Sequence, residues 1–247
     1  TACHAVFDGS RAIFQGKREL EAPVADNKNS SSPVIAVARD EAFCFYYEDN
    51  LDLLKKLGAR IRYFSPLRDQ EIPPEASALY LGGGYPELHA KALSENKTML
   101  SSIREAIRNG MPCIAECGGD LYLKESIEDP DGKRWEMTGV LQGSSQDTGK
   151  LGRFGYITVT AKKGGLLGPE GTQFRAHEFH HWDSPENGTD FQAKKPVGTR
   201  GWECGYTTES FYAGFPHLYF YSNPEIAEHF VKQAQSWREA IWEIQKE

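Results

Sequence analysis

The 247-residue chain lacks any apolar run approaching the ~18 residues that a membrane helix needs. Its opening residues also lack the pattern of a secretory signal. There is no basic surplus: 28 Lys and Arg stand against 35 Asp and Glu, for a formal net charge of −7, and no basic stripe offsets it. That argues against a nucleic-acid surface. A disulfide framework is missing as well. The five cysteines (Cys3, Cys44, Cys113, Cys117 and Cys204) are odd in number and irregularly spaced, as reduced thiols of a cytosolic protein are. Cys113 and Cys117 have no second cysteine pair nearby to complete a zinc site. No nucleotide loop is present either. Gly143 to Gly149 encloses one residue too many for a P-loop, and Leu151 stands where Ser or Thr would follow Lys150. No internal repeat is visible. The expectation is a cytoplasmic chain with neither a membrane nor a nucleic-acid partner.

What is present suits an α/β protein. Hydrophobic residues make up 39% and aromatics 12%, enough to build a core in one large domain or two small ones. Residues 1–32 show little periodicity and end in the polar run Asp26 to Ser32, so they read as an N-terminal extension or linker ahead of a folded domain over 33–247. The chain opens on Thr1 rather than Met, from which a fragment, a processed chain or a start inside a longer protein is expected.

From residue 33 onward, short apolar runs alternate with helical patterns. Val34–Ala38 reads as a buried parallel strand, and Arg60–Phe64, Ala78–Leu81 and Pro112–Glu116 read as further strands. Asn50 to Leu57 and Leu88 to Ile107 read as helices, stopped by Gly58 and by Asn109-Gly110. This alternation predicts a mostly parallel sheet covered on both faces. After Ile127 the character changes. Met137–Leu141, Tyr156–Ala161, Gln173–Phe179, Glu203–Thr207 and Phe211–Phe215 read as short strands of a more antiparallel portion, and a helix from about Pro224 to Gln245 closes the chain.

The chemistry centres on Pro112-Cys113-Ile114-Ala115-Glu116-Cys117-Gly118-Gly119. A strand that ends in a cysteine, followed by two glycines and a helical pattern, has the shape of a nucleophile elbow. The glycines let backbone approach backbone where a Cβ would obstruct the turn. Cys117 would then sit at the positive end of a helix, which favours the thiolate. A plainer alternative stays open: a buried strand-end cysteine before a Gly-Gly turn.

A thiol nucleophile needs a base and oxyanion donors. His217 follows a glycine-broken strand and could reach across to the elbow, although a structural histidine fits the same position. The Gly118 amide adjoins the nucleophile, and a second donor is sought among Gly83, Gly84 and Tyr85, because ligands of parallel sheets bind beyond the strands' carboxyl ends. The competing signal is His177-Glu178-Phe179-His180-His181, which matches H-E-x-x-H. Zinc peptidases carry that motif on a helix, whereas its surroundings here are rich in β-formers.

Four motifs occur in one order: Leu81 to Glu87, Ala115 to Gly119, Phe174 to His180, and Ala213 to Leu218. Together they resemble the glutamine amidotransferase domains of the cobyrinic acid a,c-diamide synthase family, over roughly Pro33 to Gln235. The resemblance implies a flavodoxin-like class I amidotransferase fold, a three-layer sandwich with an additional antiparallel β portion. It implies that Cys117 attacks the glutamine carboxamide and forms a γ-glutamyl thioester. His217 would activate the thiol and protonate the departing ammonia, while the amides of Gly83, Gly84, Tyr85 and Gly118 would hold the oxyanion and the glutamine. It further implies a synthetase domain or subunit that carries ATP and Mg, no cofactor on this chain, and a homodimer of the full enzyme. The acceptor stays open between cobyrinic acid and the substrates of cobyric acid, nickel-sirohydrochlorin, hydrogenobyrinate or cell-wall amidating enzymes; a binding module without turnover is the remaining alternative. One departure is plain. The glutamate expected two residues after the histidine is Tyr219 here, so either Cys117 and His217 form a dyad or Glu178 supplies the third role. Glu116 is the less attractive third member, because it lies beside the nucleophile, and is expected instead to shape the pocket or bind the glutamine amino group.

Overall fold

The buried apolar runs are the centre of a six-stranded sheet in the computed structural model, which describes residues 32–244. The expected extension, residues 1–32, lies outside the described residues except for Ser32. Across the sheet the strands are Tyr206–Thr208, Phe211–Gly214, Cys113–Glu116, Ala78–Leu81, Val34–Ala38 and Arg60–Phe64. All neighbours are parallel except the first pair. Val34–Ala38, Ala78–Leu81 and Cys113–Glu116 are buried at every position, as strands covered on both faces must be.

Alternation sends successive side chains into two cores. On one face Ile35, Val37, Tyr80 and Ile114 meet Leu51 and Leu54 of helix Glu48–Lys56 and Phe230 of helix Glu225–Ile244. On the other, Leu79, Leu81 and Ala115 meet Met99 and Ile103 of helix Lys97–Arg108 and Leu121 of helix Gly118–Leu123. The expected antiparallel portion is a five-stranded sheet in the order Gly201–Cys204, Phe191–Lys194, Arg153–Ala161, Gln173–His180 and His217–Leu218. Its inward residues Ile157, Val159 and Phe174 join the first core. After Gly214 the chain therefore leaves the parallel sheet and enters the antiparallel one at His217.

Three expectations require correction. The helix over Leu88 to Ile107 is broken: a 3₁₀ turn Pro86–His89 and helix Ala90–Glu95 precede helix Lys97–Arg108. The break is Asn96, whose side chain accepts from the Met99 amide at 3.4 Å and caps the second helix. Met137–Leu141 is not a strand. Its amides donate instead to the carbonyls of Glu125, Tyr122, Lys124 and Leu123, supplying donors where helix Gly118–Leu123 ends. Glu203–Thr207 is split at Gly205, whose φ of +69° turns the chain from one sheet to the other.

Candidate functional site

Cys117 stands at the carboxyl end of the strand between Ala78–Leu81 and Phe211–Gly214. Its φ of 49° and ψ of −104° make it the one non-glycine at positive φ among the described residues. The turn is pinned where its amide donates to the Gly214 carbonyl at 2.8 Å. A Cβ at Gly119 would run into the Leu81 carbonyl, so the sharp exit requires glycine there. Gly118 packs against the glycine-rich loop: its absent Cβ would lie 3.0 Å from the Gly84 nitrogen and 3.0 Å from Pro86 Cδ. Tyr46 holds that loop, since its hydroxyl accepts from the Gly82 amide at 2.9 Å and donates to the Ala38 carbonyl.

His217 reaches the same place from the antiparallel sheet. A Cβ on Gly83 would penetrate its imidazole, and the Phe45 ring meets it edge-on at 4.5 Å between centroids. Gly83, Gly84, Gly118, Cys117 and His217 therefore gather beyond the carboxyl ends of the central strands. Tyr85 departs from the expectation. Its amide donates to the Ala42 carbonyl at 2.9 Å, so it is not available as an oxyanion donor, and its side chain is half exposed. The thiol's hydrogen-bond partner is the Phe179 carbonyl at 3.9 Å; among the described residues no hydrogen bond joins Cys117 to His217.

The group behind His217 is Glu116. Its Oε2 lies 3.9 Å from His217 Nδ1, while Oε1 accepts from the Leu218 amide at 3.1 Å and from the Tyr80 hydroxyl at 3.2 Å. Strand alternation places it there: Glu116 follows Ile114 onto the face opposite Ala115. Glu178 is turned away. His177 pairs directly with His217, so the next residue along that strand points to the other face. The Glu178 carboxylate meets His180 Nε2 at 3.1 Å and the Arg153 guanidinium at 3.5 Å. Tyr219 packs on Tyr47, ring centroids 5.6 Å apart. Neighbouring strand residues point opposite ways, and that signal could have placed Glu116 once the elbow was located.

Electrostatics leave the site neutral at rest. Burial pushes the Cys117 thiol up, and the Glu87 carboxylate adds to it. The expected thiolate preference is reversed because a six-residue helix offers little dipole against full burial. Burial, then the charges of His177 and His180, push His217 down to about 3. Burial raises Glu116 to about 8 despite the Leu218 amide and the Tyr80 hydroxyl. The H-E-x-x-H stretch lies in and just beyond strand Gln173–His180 instead of on a helix. Among the described residues no three His, Cys, Asp or Glu side chains are grouped to hold a metal ion, and no helix is long and apolar enough to cross a membrane.

Comparison with known proteins gives the family and the fold. A family model described as a CobB/CobQ-like glutamine amidotransferase domain matches residues 34–225. The chain is 43% identical over 229 residues to the cobyrinate a,c-diamide synthase of Listeria innocua, covering 90% of this chain and 50% of the relative. It is 42% identical over 210 residues to that of Clostridium acetobutylicum, covering 83% and 46%. The chain thus spans about half the length of the curated relatives it matches. Among solved structures, PurLQS from Thermotoga maritima superposes with a TM-score of 0.55 at 18% identity, covering 85% of this chain and 99% of that one. A glutamine amidotransferase superposes with a TM-score of 0.56 at 16% identity, covering 81% and 98%. These two likenesses establish the class I amidotransferase fold.

Proposed function

The chain belongs to the CobB/CobQ-like glutamine amidotransferase domain family, and we propose that it is the glutaminase part of an ATP-dependent amidoligase. The observation that carries this reading is Cys117 at positive φ, against Gly84 and within one site with His217. Cys117 Sγ attacks the side-chain carbonyl carbon of glutamine while its proton passes to His217. The Gly118 amide, with Gly84 beside it, faces the developing oxyanion. The tetrahedral intermediate collapses with cleavage of the C–N bond, and His217 returns the proton to the departing ammonia. Water then hydrolyses the γ-glutamyl thioester to glutamate and frees the thiol.

Glu116 supports His217 in this scheme by accepting from Nδ1–H, which requires the 3.9 Å gap to close. An imidazolium forming beside it is stabilised when Glu116 is ionised, so the reaction speeds up as pH rises through about 8. The names of the relatives support cobyrinic acid as the acceptor, amidated at its a and c positions on a synthetase domain or subunit that holds ATP and Mg. A homodimer of the full enzyme and a cytoplasmic location complete the reading. Glutamate release tests it: this chain alone should turn over slowly and Cys117→Ser not at all. Rapid release by the isolated chain would contradict dependence on the synthetase part, and release that survives Cys117→Ser would contradict the nucleophile.

A further inference from the structure

Four buried carboxylates lie around the elbow, and three have a cation or a donor from another residue within 4 Å. Glu116 receives an amide and a hydroxyl, Glu178 meets Arg153 and His180, and Asp120 has the Lys124 ammonium 3.7 Å away. Glu87 differs. It is 7% exposed, no cationic side chain pairs with it among the described residues, and its only hydrogen-bond donor there is its own backbone amide. An uncompensated carboxylate at that depth is costly unless a ligand completes it.

The position indicates which ligand. Glu87 lies on the 3₁₀ turn Pro86–His89, whose first residue packs on Gly118 next to the nucleophile. Its carboxylate is close enough to act on the Cys117 thiol, and the Asp147 carboxylate acts on it from the Ser144–Asp147 strand. The acidic side chain nearest the thiol on this turn therefore has, among the described residues, no cationic partner, which suits a small cation attached to whatever occupies the thiol.

We propose that Glu87 binds the α-ammonium group of glutamine and so selects a free amino acid over a simple carboxamide. This rests on the glutaminase reading. It also moves to Glu87 the amino-group role expected of Glu116, whose two oxygens are committed to His217, Leu218 and Tyr80. An amide without the α-ammonium would leave Glu87 buried and unpaired, which gives discrimination beyond shape alone. Burial raises Glu87 to about 7, so in the empty site the carboxyl is partly protonated at neutral pH and the arriving ammonium draws out the carboxylate form.

The test uses the full chain and follows alkylation of Cys117 by mass spectrometry with three electrophiles: diazo-oxo-norleucine, its analogue without the α-amino group, and iodoacetamide. Glu87→Gln should slow labelling by the amino-bearing reagent about tenfold or more. It should not slow the other two reagents, because losing the carboxylate favours the thiolate, and Glu87→Asp should recover part of the loss. Equal slowing of all three would reveal a structural role and overturn the proposal, as would no change with the amino-bearing reagent. Failure of the glutaminase reading looks different: wild-type Cys117 would then show no preference for the amino-bearing reagent and no protection by glutamine.

Discussion

Gly83 has no side chain because the His217 imidazole fills the space a Cβ would need. Gly83→Ala should therefore move the base and not the fold. Glutamine hydrolysis is expected to fall about a hundredfold, the order of loss for a displacement near 1 Å, with the urea midpoint little changed. Glu116→Gln keeps the shape but cannot carry the compensating charge beside Nδ1. A loss of roughly 10²- to 10⁴-fold in turnover is expected, together with loss of the rise in rate through about pH 8. An unaltered pH profile would remove Glu116 from the mechanism. At this scale Cys117, His217 and the paired glycines were legible because each has a local signature. The partner of His217 was not, since Tyr219 follows it in sequence while Glu116 approaches from another strand. Glu87 could be read in the Leu81–Glu87 motif, but its lack of a counter-charge depends on what surrounds it in space.

Helix Glu48–Lys56 does more than cover the parallel sheet. Its buried Asn50 donates to the Leu218 carbonyl at 2.7 Å and accepts from the Phe220 amide at 2.9 Å, clamping the chain on the far side of His217. Asn50→Leu leaves both backbone groups buried without partners, a loss of about 2–6 kcal/mol at ~1–3 per group. Urea unfolding would measure it; a change below 1 kcal/mol, on the order of a surface substitution, would contradict the clamp. The central strands were readable because continuous apolar runs are what a twice-covered parallel sheet requires. Met137–Leu141 looks like such a run but is spent on the carbonyls at the end of the elbow helix, a pairing no periodicity encodes. Gly205, which divides its strand between two sheets, is visible as a residue but not as a boundary.

For the molecule as a whole, the buried His217–Glu116 pair shapes stability against pH. His217 is depressed from 6.5 to about 3, so the unfolded chain takes up that proton first and stability is lost as pH falls through 6.5. Glu116 is raised from 4.5 to about 8, so the folded chain keeps that proton and stability is lost as pH rises from 4.5 to 8. Between 4.5 and 6.5 the two slopes cancel, because folded and unfolded states each hold one proton on the pair. In Glu116→Gln only the histidine slope survives. Relative to wild type, its stability should climb by about 1.4 kcal/mol per pH unit across that window. Parallel curves from urea titrations would refute the paired assignment.

A Cys117 that serves as the nucleophile of a glutamine site should carry the adduct formed with diazo-oxo-norleucine. Peptide mapping of the full chain should find one adduct, on Cys117, suppressed by excess glutamine and absent from Cys117→Ser. An adduct on any of the other four cysteines, or one that persists in Cys117→Ser, would rule out Cys117 as the nucleophile.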